Sequence, residues 1–227
     1  MTDDVILMAD PRVTGISAED CGEELVDART LGFLHIDSRK SDPLGHFTQL
    51  RTGVSERLAA AAERLPDGVR FRFVEGYRPP SLQRDYFSAY REKLRKLHPE
   101  ADETWLDLAA SRYVSPPHIA PHSAGAAIDL TLCTEDGEEL PMGTAVNASP
   151  EESRLRCYTA AQDIDAGSRA NRGLLANVLS AAGFVNYPTE WWHWSYGDRY
   201  WAMVTRHPLA VYGPVEREPS ARPHRAE

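Results

Sequence analysis

The chain has 227 residues, a length that suits one large domain with a sizeable core, and it carries a formal net charge of −9. The acidic balance argues against binding to nucleic acid or to anionic membrane surfaces, because both attract proteins rich in Lys and Arg. No apolar run reaches the roughly 18 residues of a membrane span, and the acidic N-terminus differs from a secretory signal, so the sequence predicts a cytoplasmic protein.

Short strands, one helix and one longer strand are predicted for the first third of the chain. The first 50 residues hold short apolar pieces broken by Pro and Gly, which is typical of loops and short strands. Residues 55–65 are rich in strong helix formers and precede Pro66-Asp67-Gly68, so they predict a helix. Residues 69–75 alternate between apolar and polar side chains, which indicates a half-buried strand.

Two helices are predicted next. The first follows two prolines after Arg78, ends before Pro99 and has an apolar residue at every fourth position: Leu82, Tyr86, Tyr90 and Leu94. The second covers residues 103–113, where Trp105, Leu108 and Ala109 share one face. A proline-rich loop over residues 115–121 then leads to His122.

The second half begins with a strand over residues 126–132, in which Ile128, Leu130 and Leu132 share one face while Asp129 and Thr131 lie on the other. An acidic turn follows at residues 134–139, and the chain from there to about residue 168 matches no element. Residues 169–182 predict a helix that Gly183 ends through a left-handed cap. Two short aromatic strands, residues 184–187 and 191–194, lead to a turn at Gly197-Asp198.

These elements favour the α+β class over a doubly wound sheet. Strands and helices do not alternate regularly, and the sequence contains no glycine-rich phosphate loop. We therefore expect an antiparallel sheet with helices packed on one face and a zinc site in a cleft on the sheet. Without repeats or an internal linker, residues 1–213 are predicted to form a single domain, and residues 214–227, which lack a stretch of apolar residues, a disordered tail.

Two short motifs contain the parts of a catalytic zinc site. His122-Ser-Ala-Gly-Ala-Ala-Ile-Asp129 and Glu190-Trp-Trp-His193 supply two imidazoles, one carboxylate ligand and a spare carboxylate. A catalytic zinc typically has three protein ligands and leaves its fourth position to water, whose pKa it lowers to about 7. Because Glu190 lies three residues before His193, it stays near the metal and can act as the general base. The motifs predict hydrolysis of an amide bond.

Each of these residues also has a structural alternative. His122 alone fits a structural or surface histidine, and Glu190 with His193 fits a surface pair. Asp129 in an otherwise apolar strand fits a salt bridge to an arginine, although a metal also compensates a buried carboxylate. The combination of the four residues favours the metal site over these separate interpretations.

Three blocks of the chain carry a family resemblance. The blocks are Glu75-Gly-Tyr-Arg-Pro79, the segment from His122 to Asp129 with the following Leu-Thr, and Glu190-Trp-Trp-His193. In order and separation they resemble the D-alanyl-D-alanine dipeptidase family of zinc metallopeptidases, which includes the enzyme of vancomycin resistance. The resemblance extends from about residue 71 to residue 193 and so covers most of the chain.

The resemblance implies an α+β enzyme with one Zn²⁺ per chain, held by His122, Asp129 and His193. It also implies that Glu190 is the base and that Arg78 stabilises the transition state. A guanidinium offers fork-like donors to a developing oxyanion or to a C-terminal carboxylate. The structural alternative is that Arg78 only caps the end of its strand. The expected reaction is cleavage of D-Ala-D-Ala or a related D-amino-acid dipeptide in cell-wall metabolism, with a small peptide as the partner.

Two positions depart from the family pattern. Ala120 stands where the family usually has Ser, two residues before the first zinc histidine, and Asn147 stands where it usually has Asp. The resemblance assigns both positions to the free ammonium group of the substrate. A buried charge-assisted hydrogen bond is worth roughly 1.5–3 kcal/mol, so the two changes can shift substrate preference about tenfold or more.

The departures keep two alternatives open. One is a D,D-carboxypeptidase that cleaves a longer or N-blocked peptide, although the lack of a signal sequence argues against an enzyme that trims the cell wall. The other is a zinc-containing binding protein without catalysis. The presence of Glu190 argues against that protein, because a structural zinc needs no base and favours a fourth protein ligand.

Overall fold

The computed structural model describes residues 5–40 and 42–216. Within these residues the helices are α1 (Pro11–Thr14), α2 (Thr52–Ala62), α3 (Pro80–Leu97), α4 (Glu103–Ala110), α5 (Pro150–Ser153), α6 (Ala166–Ala181) and α7 (Arg199–Thr205). The strands are β1 (Leu25–Asp27), β2 (Leu34–Ile36), β3 (Gln49–Arg51), β4 (Val69–Glu75), β5 (Ala127–Thr134), β6 (Val185–Asn186) and β7 (His193–Ser195). Short 3₁₀ turns cover Ala28–Thr30, His46–Thr48 and Pro121–Ala124.

A five-stranded sheet with the order β2-β4-β5-β7-β6 forms the centre, and β1 pairs with β3 in a small second sheet. All neighbours in the central sheet are antiparallel except the edge pair β2–β4. That pair is parallel because β3 and α2 lie between its strands in the chain and provide the long crossover that parallel pairing needs. The predicted α+β class is confirmed, with this one parallel pair as an addition.

The two faces of the sheet differ in polarity. Leu130 and Leu132 of β5 belong to the main apolar core, which also contains buried residues of α2 and α6: Val54, Leu58, Ala61, Leu175, Val178 and Leu179. Alternation along the strand then places Asp129 and Thr131 on the opposite face. Helices α2 and α6 thus cover the apolar face, and the polar face is left to form a site.

The predicted helices are present, with shifted ends. Helix α2 begins at Thr52 rather than residue 55, and α4 ends at Ala110 rather than residue 113. Helix α6 begins at Ala166, ahead of the predicted residue 169, because the Asp165 side chain accepts a hydrogen bond from the Ser168 N–H and caps the helix there. Gly183 has a φ of +89°, the left-handed conformation expected of it.

The C-terminal strands are shorter than predicted, and a helix follows them. The predicted strands 184–187 and 191–194 are reduced to β6 and to β7, which begins only at His193. The turn predicted at Gly197-Asp198 leads directly into helix α7. Asp198 caps this helix by accepting hydrogen bonds from the N–H groups of Trp201 and Tyr200.

Helices α3 and α4 form a hairpin with a small apolar core of its own, made by Tyr90, Leu94, Leu106, Ala109, Ala110 and Val114.

Of the predicted tail, residues 214–216 are described, and the remainder of that prediction lies outside the described residues. The Val215 N–H donates to the Ser123 carbonyl at 2.8 Å, and the Tyr77 hydroxyl donates to the Val215 carbonyl at 2.7 Å. In the part of the chain that the structure describes, no helix is long and apolar enough to cross a membrane.

Candidate metal centre

His122, Asp129 and His193 converge on the polar face of the sheet. Asp129 Oδ1 lies 3.3 Å from His122 Nε2 and 2.9 Å from His193 Nδ1. All three side chains are buried, and one potential ligand atom from each lies within 4.8 Å of the others. The structure therefore brings together the three residues that were predicted from the sequence to be metal ligands.

The register of the sheet explains how two of these residues meet. Asp129 of β5 stands directly opposite His193 of β7 on one side and opposite Glu75 of β4 on the other. A register shift between Phe73 and Glu75 interrupts the β4–β5 ladder. Phe73 belongs to the apolar core, so regular alternation would place Glu75 on the apolar face as well. The register shift instead turns Glu75 to the polar face.

His122 reaches the cluster from the 3₁₀ turn that precedes β5. Gly125 ends this turn with a φ of +66°, and a Cβ atom there would lie 2.4 Å from Leu25 Cδ2. His122 Nδ1 lies 2.6 Å from the Gly76 carbonyl oxygen. A carbonyl can only accept, so Nδ1 carries the proton and Nε2 presents its lone pair to the cluster, as a metal ligand must.

The ionisation of the cluster follows from burial and close charges. Burial would raise the pKa of Asp129, but the two imidazoles outweigh it and hold that pKa well below its usual range. Burial likewise works against a charged His193, yet its hydrogen bond to Asp129 raises the pKa of the imidazole. The pKa of His122 is lowered, chiefly by burial, which favours the neutral imidazole. His193 Nε2 is buried and has no hydrogen-bond partner among the described residues.

The donor set fits a divalent zinc-type metal. Two imidazole nitrogens and one carboxylate oxygen are the ligands of many catalytic zinc sites, in which a fourth position stays open. His122 has the backbone carbonyl partner that orients a metal-binding histidine. The three residues present are therefore suited to hold the metal ion on which this class of site depends.

Gly76, whose carbonyl orients His122, approaches another backbone segment closely. A Cβ atom at this position would lie 2.2 Å from the Gln49 carbonyl oxygen. We expect Gly76→Ala to lower the free energy of unfolding by about 1–3 kcal/mol, because the two backbone segments must separate. Gly173, which is exposed in α6 with nothing within 4 Å of its added Cβ, is the matched control.

Gly173→Ala is expected to raise the free energy of unfolding by about 0.5–1 kcal/mol, since it removes a flexible residue from a helix. Urea unfolding of the two metal-free variants measures both values. Equal stabilities for the two variants would contradict the close approach at Gly76.

Glu190 lies at the edge of the cluster. Its Oε2 is 3.9 Å from His193 Nδ1. The backbone on either side is fixed, because the Glu190 N–H donates to the Tyr187 carbonyl and Asn186 Nδ2 donates to the Glu190 carbonyl at 3.0 Å. Burial raises the pKa of Glu190 to about 8, against the opposing charge of His193. A buried carboxyl with a pKa near neutrality, next to a metal-type cluster, can exchange a proton near physiological pH and is a candidate general acid or base.

Arg78 is anchored by two neighbours. Its Nε and Nη2 donate to the two oxygens of Glu75 at 2.7 and 2.8 Å, and its Nη1 donates to Gln83 Oε1 at 2.7 Å. Burial would raise the pKa of Glu75, but the charges of Arg78 and Lys40 outweigh it and lower the value to about 2. Arg78 therefore keeps its charge in a buried position through a carboxylate that is itself ionised.

A cavity of about 630 Å³ lies over the cluster. Five predicted site residues line it, namely Arg78, His122, Asp129, Glu190 and His193, together with Arg39, Lys40, Gln83, Tyr86, Ala89, Tyr90, Lys93, Tyr113, Val114, Ser115, Val146 and Asn147. Residues of α3 and of the chain following α4 thus form one wall. His118, the other histidine near the His122 loop, is exposed and lies outside this cavity.

The two positions that depart from the family pattern have different surroundings. Asn147 lines the cavity with a left-handed backbone, and its carbonyl accepts a hydrogen bond from the Tyr113 hydroxyl at 2.7 Å. Ala120 is buried at the start of the 3₁₀ turn and does not line the cavity. A substitution at Asn147 therefore changes the cavity wall directly.

Two charged residues next to the site, Glu75 and Lys40, were not predicted from the sequence to belong to it. Glu75 belongs to the block Glu75-Gly-Tyr-Arg-Pro79, but the alternation of its strand assigns it no role in a site. Lys40, whose Nζ pairs with Glu75 Oε2, lies in a polar loop that shows no periodic pattern. The only sequence signal for either residue was a charged side chain close to an element boundary.

Comparison with known proteins gives consistent matches. A sequence profile described as D-ala-D-ala dipeptidase matches residues 47–210. The D-alanyl-D-alanine dipeptidase of Synechocystis sp. is 28% identical over 239 residues, which cover 88% of this chain and 95% of the relative. That of Enterococcus faecium is 32% identical over 152 residues, which cover 64% and 71%. A solved structure of the LdcB LD-carboxypeptidase, 16% identical, aligns with a TM-score of 0.46 over 85% of this chain and 76% of that chain.

Proposed function

This chain belongs to the D-ala-D-ala dipeptidase family of metallopeptidases, and from that premise we propose that it is a zinc enzyme that hydrolyses D-Ala-D-Ala or a related D-amino-acid dipeptide. The observation that carries the proposal is the convergence of His122 Nε2, Asp129 Oδ1 and His193 Nδ1 in a buried cluster, with Glu190 at its edge. In this proposal the three residues hold one Zn²⁺, and Glu190 and Arg78 are the catalytic residues.

The bound metal would supply a Lewis acid that activates water at neutral pH. Glu190 accepts the proton of the attacking water and returns it to the amine that leaves. In this proposal its carboxylate has no ligand role, because Glu190 is not among the residues whose ligand atoms all lie within 4.8 Å of one another, which are His122, Asp129 and His193. Burial raises the pKa of Glu190 in the metal-free protein, and a bound divalent cation would favour the ionised form that accepts the proton.

Arg78 stabilises the negative charge that develops on the carbonyl oxygen. Glu75 and Gln83 fix the guanidinium on three sides, so the group needs no reorganisation when that charge appears. The Arg78 N–H also donates to the His122 carbonyl at 3.1 Å, which ties its backbone to the turn that carries a ligand. This hydrogen bond couples the position of Arg78 to that of His122.

A direct test is to incubate the zinc-loaded protein with D-Ala-D-Ala, with its N-acetylated form and with an L,L-dipeptide, and to measure the amino acid released. We expect hydrolysis of a D,D-substrate, little hydrolysis of the L,L-dipeptide, and none by Glu190→Ala. Negligible release from all three substrates by the native protein would refute the proposed function.

A second candidate, cleavage of an N-blocked peptide, is favoured by Asn147 on the cavity wall. We expect Asn147→Asp to raise the preference of kcat/KM for D-Ala-D-Ala over the N-acetylated peptide about tenfold, because a carboxylate attracts a free ammonium group. Ala120→Ser is the comparison, with a smaller expected effect since Ala120 does not line the cavity. An unchanged ratio in Asn147→Asp would mean that this position does not face the substrate's amino end.

A further inference from the structure

Lys40 and Arg78 share a single carboxylate. Arg78 donates to both oxygens of Glu75, and Lys40 Nζ pairs with Glu75 Oε2. Glu75 is fully buried, whereas the Lys40 side chain is 20% exposed and lines the cavity. Two cations therefore face one anion, and this part of the cavity wall retains one unit of positive charge in a protein whose net charge is −9.

Lys40 has donors that Glu75 does not use. An ammonium carries three N–H groups, and the described residues show one hydrogen bond from Lys40 Nζ, the one to Glu75. The Nζ also lies 5.3 Å from the centre of the Tyr86 ring and 5.6 Å from that of Phe47, so the two rings hold the ammonium in place. Neutralising Glu75 does not require Lys40, because Arg78 already pairs with both carboxylate oxygens.

The positive wall, the part of the cavity wall formed by Lys40 and Arg78, lies on one side of the cluster of His122, Asp129 and His193. Glu190 lies on the other side. Glu75, Asp129 and His193 occupy one row across β4, β5 and β7, and Glu190 adjoins His193 at the far end. A peptide that presents its scissile carbonyl to the cluster and lies along this row would have one end near Glu190 and the other near Lys40. The positive wall repels an ammonium group and attracts a carboxylate.

We propose that Lys40 binds the C-terminal carboxylate of the substrate, and thereby makes a free carboxylate on the residue after the scissile bond a requirement of this site. This assignment rests on the proposed function. It concerns a residue outside residues 47–210, the stretch that the family profile matches. Arg78 retains its role of stabilising the oxyanion, while Lys40 determines which peptides bind.

The spacing agrees with a dipeptide. Adjacent strands lie about 4.8 Å apart, so Glu75 is one strand spacing from Asp129 in the row. Consecutive Cα atoms of a peptide lie about 3.8 Å apart, so a carboxylate one residue beyond the scissile carbonyl comes close to the Glu75 position. Lys40, which contacts Glu75 from the cavity, is then within reach of that carboxylate.

The test compares D-Ala-D-Ala with its C-terminal amide, using the zinc-loaded wild type, Lys40→Gln, Lys40→Arg and Lys96→Gln. Lys96 is a matched control because it is a lysine of α3 with a side chain that is 75% exposed, outside the cavity. We expect the wild type and Lys96→Gln to prefer the acid about tenfold or more in kcat/KM, the size of one charge-assisted hydrogen bond. Lys40→Gln should lose that preference through a higher KM for the acid with little change in kcat, and Lys40→Arg should keep it.

Three results would overturn the assignment: no preference in the wild type, an unchanged preference in Lys40→Gln, or an equal loss of kcat for both peptides in Lys40→Gln. The last would show that Lys40 only supports Glu75. Failure of the proposed function is distinguishable, because a wild type that hydrolyses neither peptide can still be titrated with both by calorimetry. Tighter binding of the acid that depends on Lys40 would support the assignment in that case, and equal binding would refute it.

Discussion

Glu190→Gln is expected to lower kcat about 10²–10⁴-fold, the usual contribution of a positioned general base. Glutamine keeps the size of the side chain but cannot accept the proton of the attacking water. The metal should remain bound, because His122, Asp129 and His193 form the cluster without Glu190. Steady-state kinetics with D-Ala-D-Ala and the metal content of the purified variant measure the two quantities.

Glu56→Gln is the control for this substitution, because Glu56 is exposed on α2 and lies outside the cavity over the cluster. It should leave both kcat and metal content unchanged. A Glu190→Gln variant with nearly normal kcat would assign the base to another group. Loss of its metal would instead show that Glu190 helps to hold the ion.

The pH dependence provides an independent check on Glu190. Burial raises its pKa to about 8 in the metal-free protein, and a divalent cation nearby would lower that value because it favours the ionised form. Only the ionised carboxylate accepts a proton, so kcat should fall as the pH drops below the pKa of Glu190 in the loaded enzyme. The residual activity of Glu190→Gln should lack this acidic limb.

The sequence was sufficient to predict the elements that carry the site. The periodic stripe of α3 and the alternation of β4 and β5 depend on side-chain polarity alone, and those elements appear where the patterns are. The alternation of β5 also predicted that Asp129 and Leu130 lie on opposite faces of the sheet, because successive side chains of a strand point to opposite faces. The four-residue hypothesis for the site followed from the residue types in the two motifs and from the spacing of Glu190 and His193, and the alternation of β5 agreed with it.

Other features depend on contacts between distant residues, which a single sequence does not encode locally. The orientation of Glu75 results from an irregularity in the pairing of β4 with β5, so no pattern within β4 alone predicts it. Lys40 meets Glu75 across a gap of 35 residues in the chain. The parallel pairing of β2 likewise depends on the path of the intervening chain.

Asp129→Asn is expected to reduce the bound metal from about one ion per chain to well below that value, and activity with it. The Asp129 Oδ1 atom is the common neighbour of both imidazoles, at 3.3 and 2.9 Å. Asparagine fills the same space but replaces an anionic ligand by a neutral amide, which binds zinc weakly. Elemental analysis after dialysis and kcat/KM with added zinc measure the effect.

Asp107→Asn is the matched control, because Asp107 is 52% exposed on α4 in an ion pair with Arg91. This variant should bind metal and hydrolyse substrate normally. If Asp129→Asn retained stoichiometric metal, the ion would have to be held elsewhere, and the ligand set proposed for this family member would be wrong.

Proton release should accompany metal binding to the native protein, because an imidazole must give up the proton on the nitrogen that binds the metal. Burial would lower the pKa of His193, but the hydrogen bond between its Nδ1 and Asp129 outweighs burial and raises that pKa, which favours the imidazolium form in the metal-free protein. A metal must displace this proton, and its affinity should therefore fall as the pH is lowered through the pKa of His193. Calorimetric titration with zinc in two buffers of different ionisation enthalpy measures the protons released. Asp129→Asn removes the carboxylate that favours the imidazolium form, so any residual binding near neutral pH should release fewer protons, and an equal release would contradict the stabilisation of that form by Asp129.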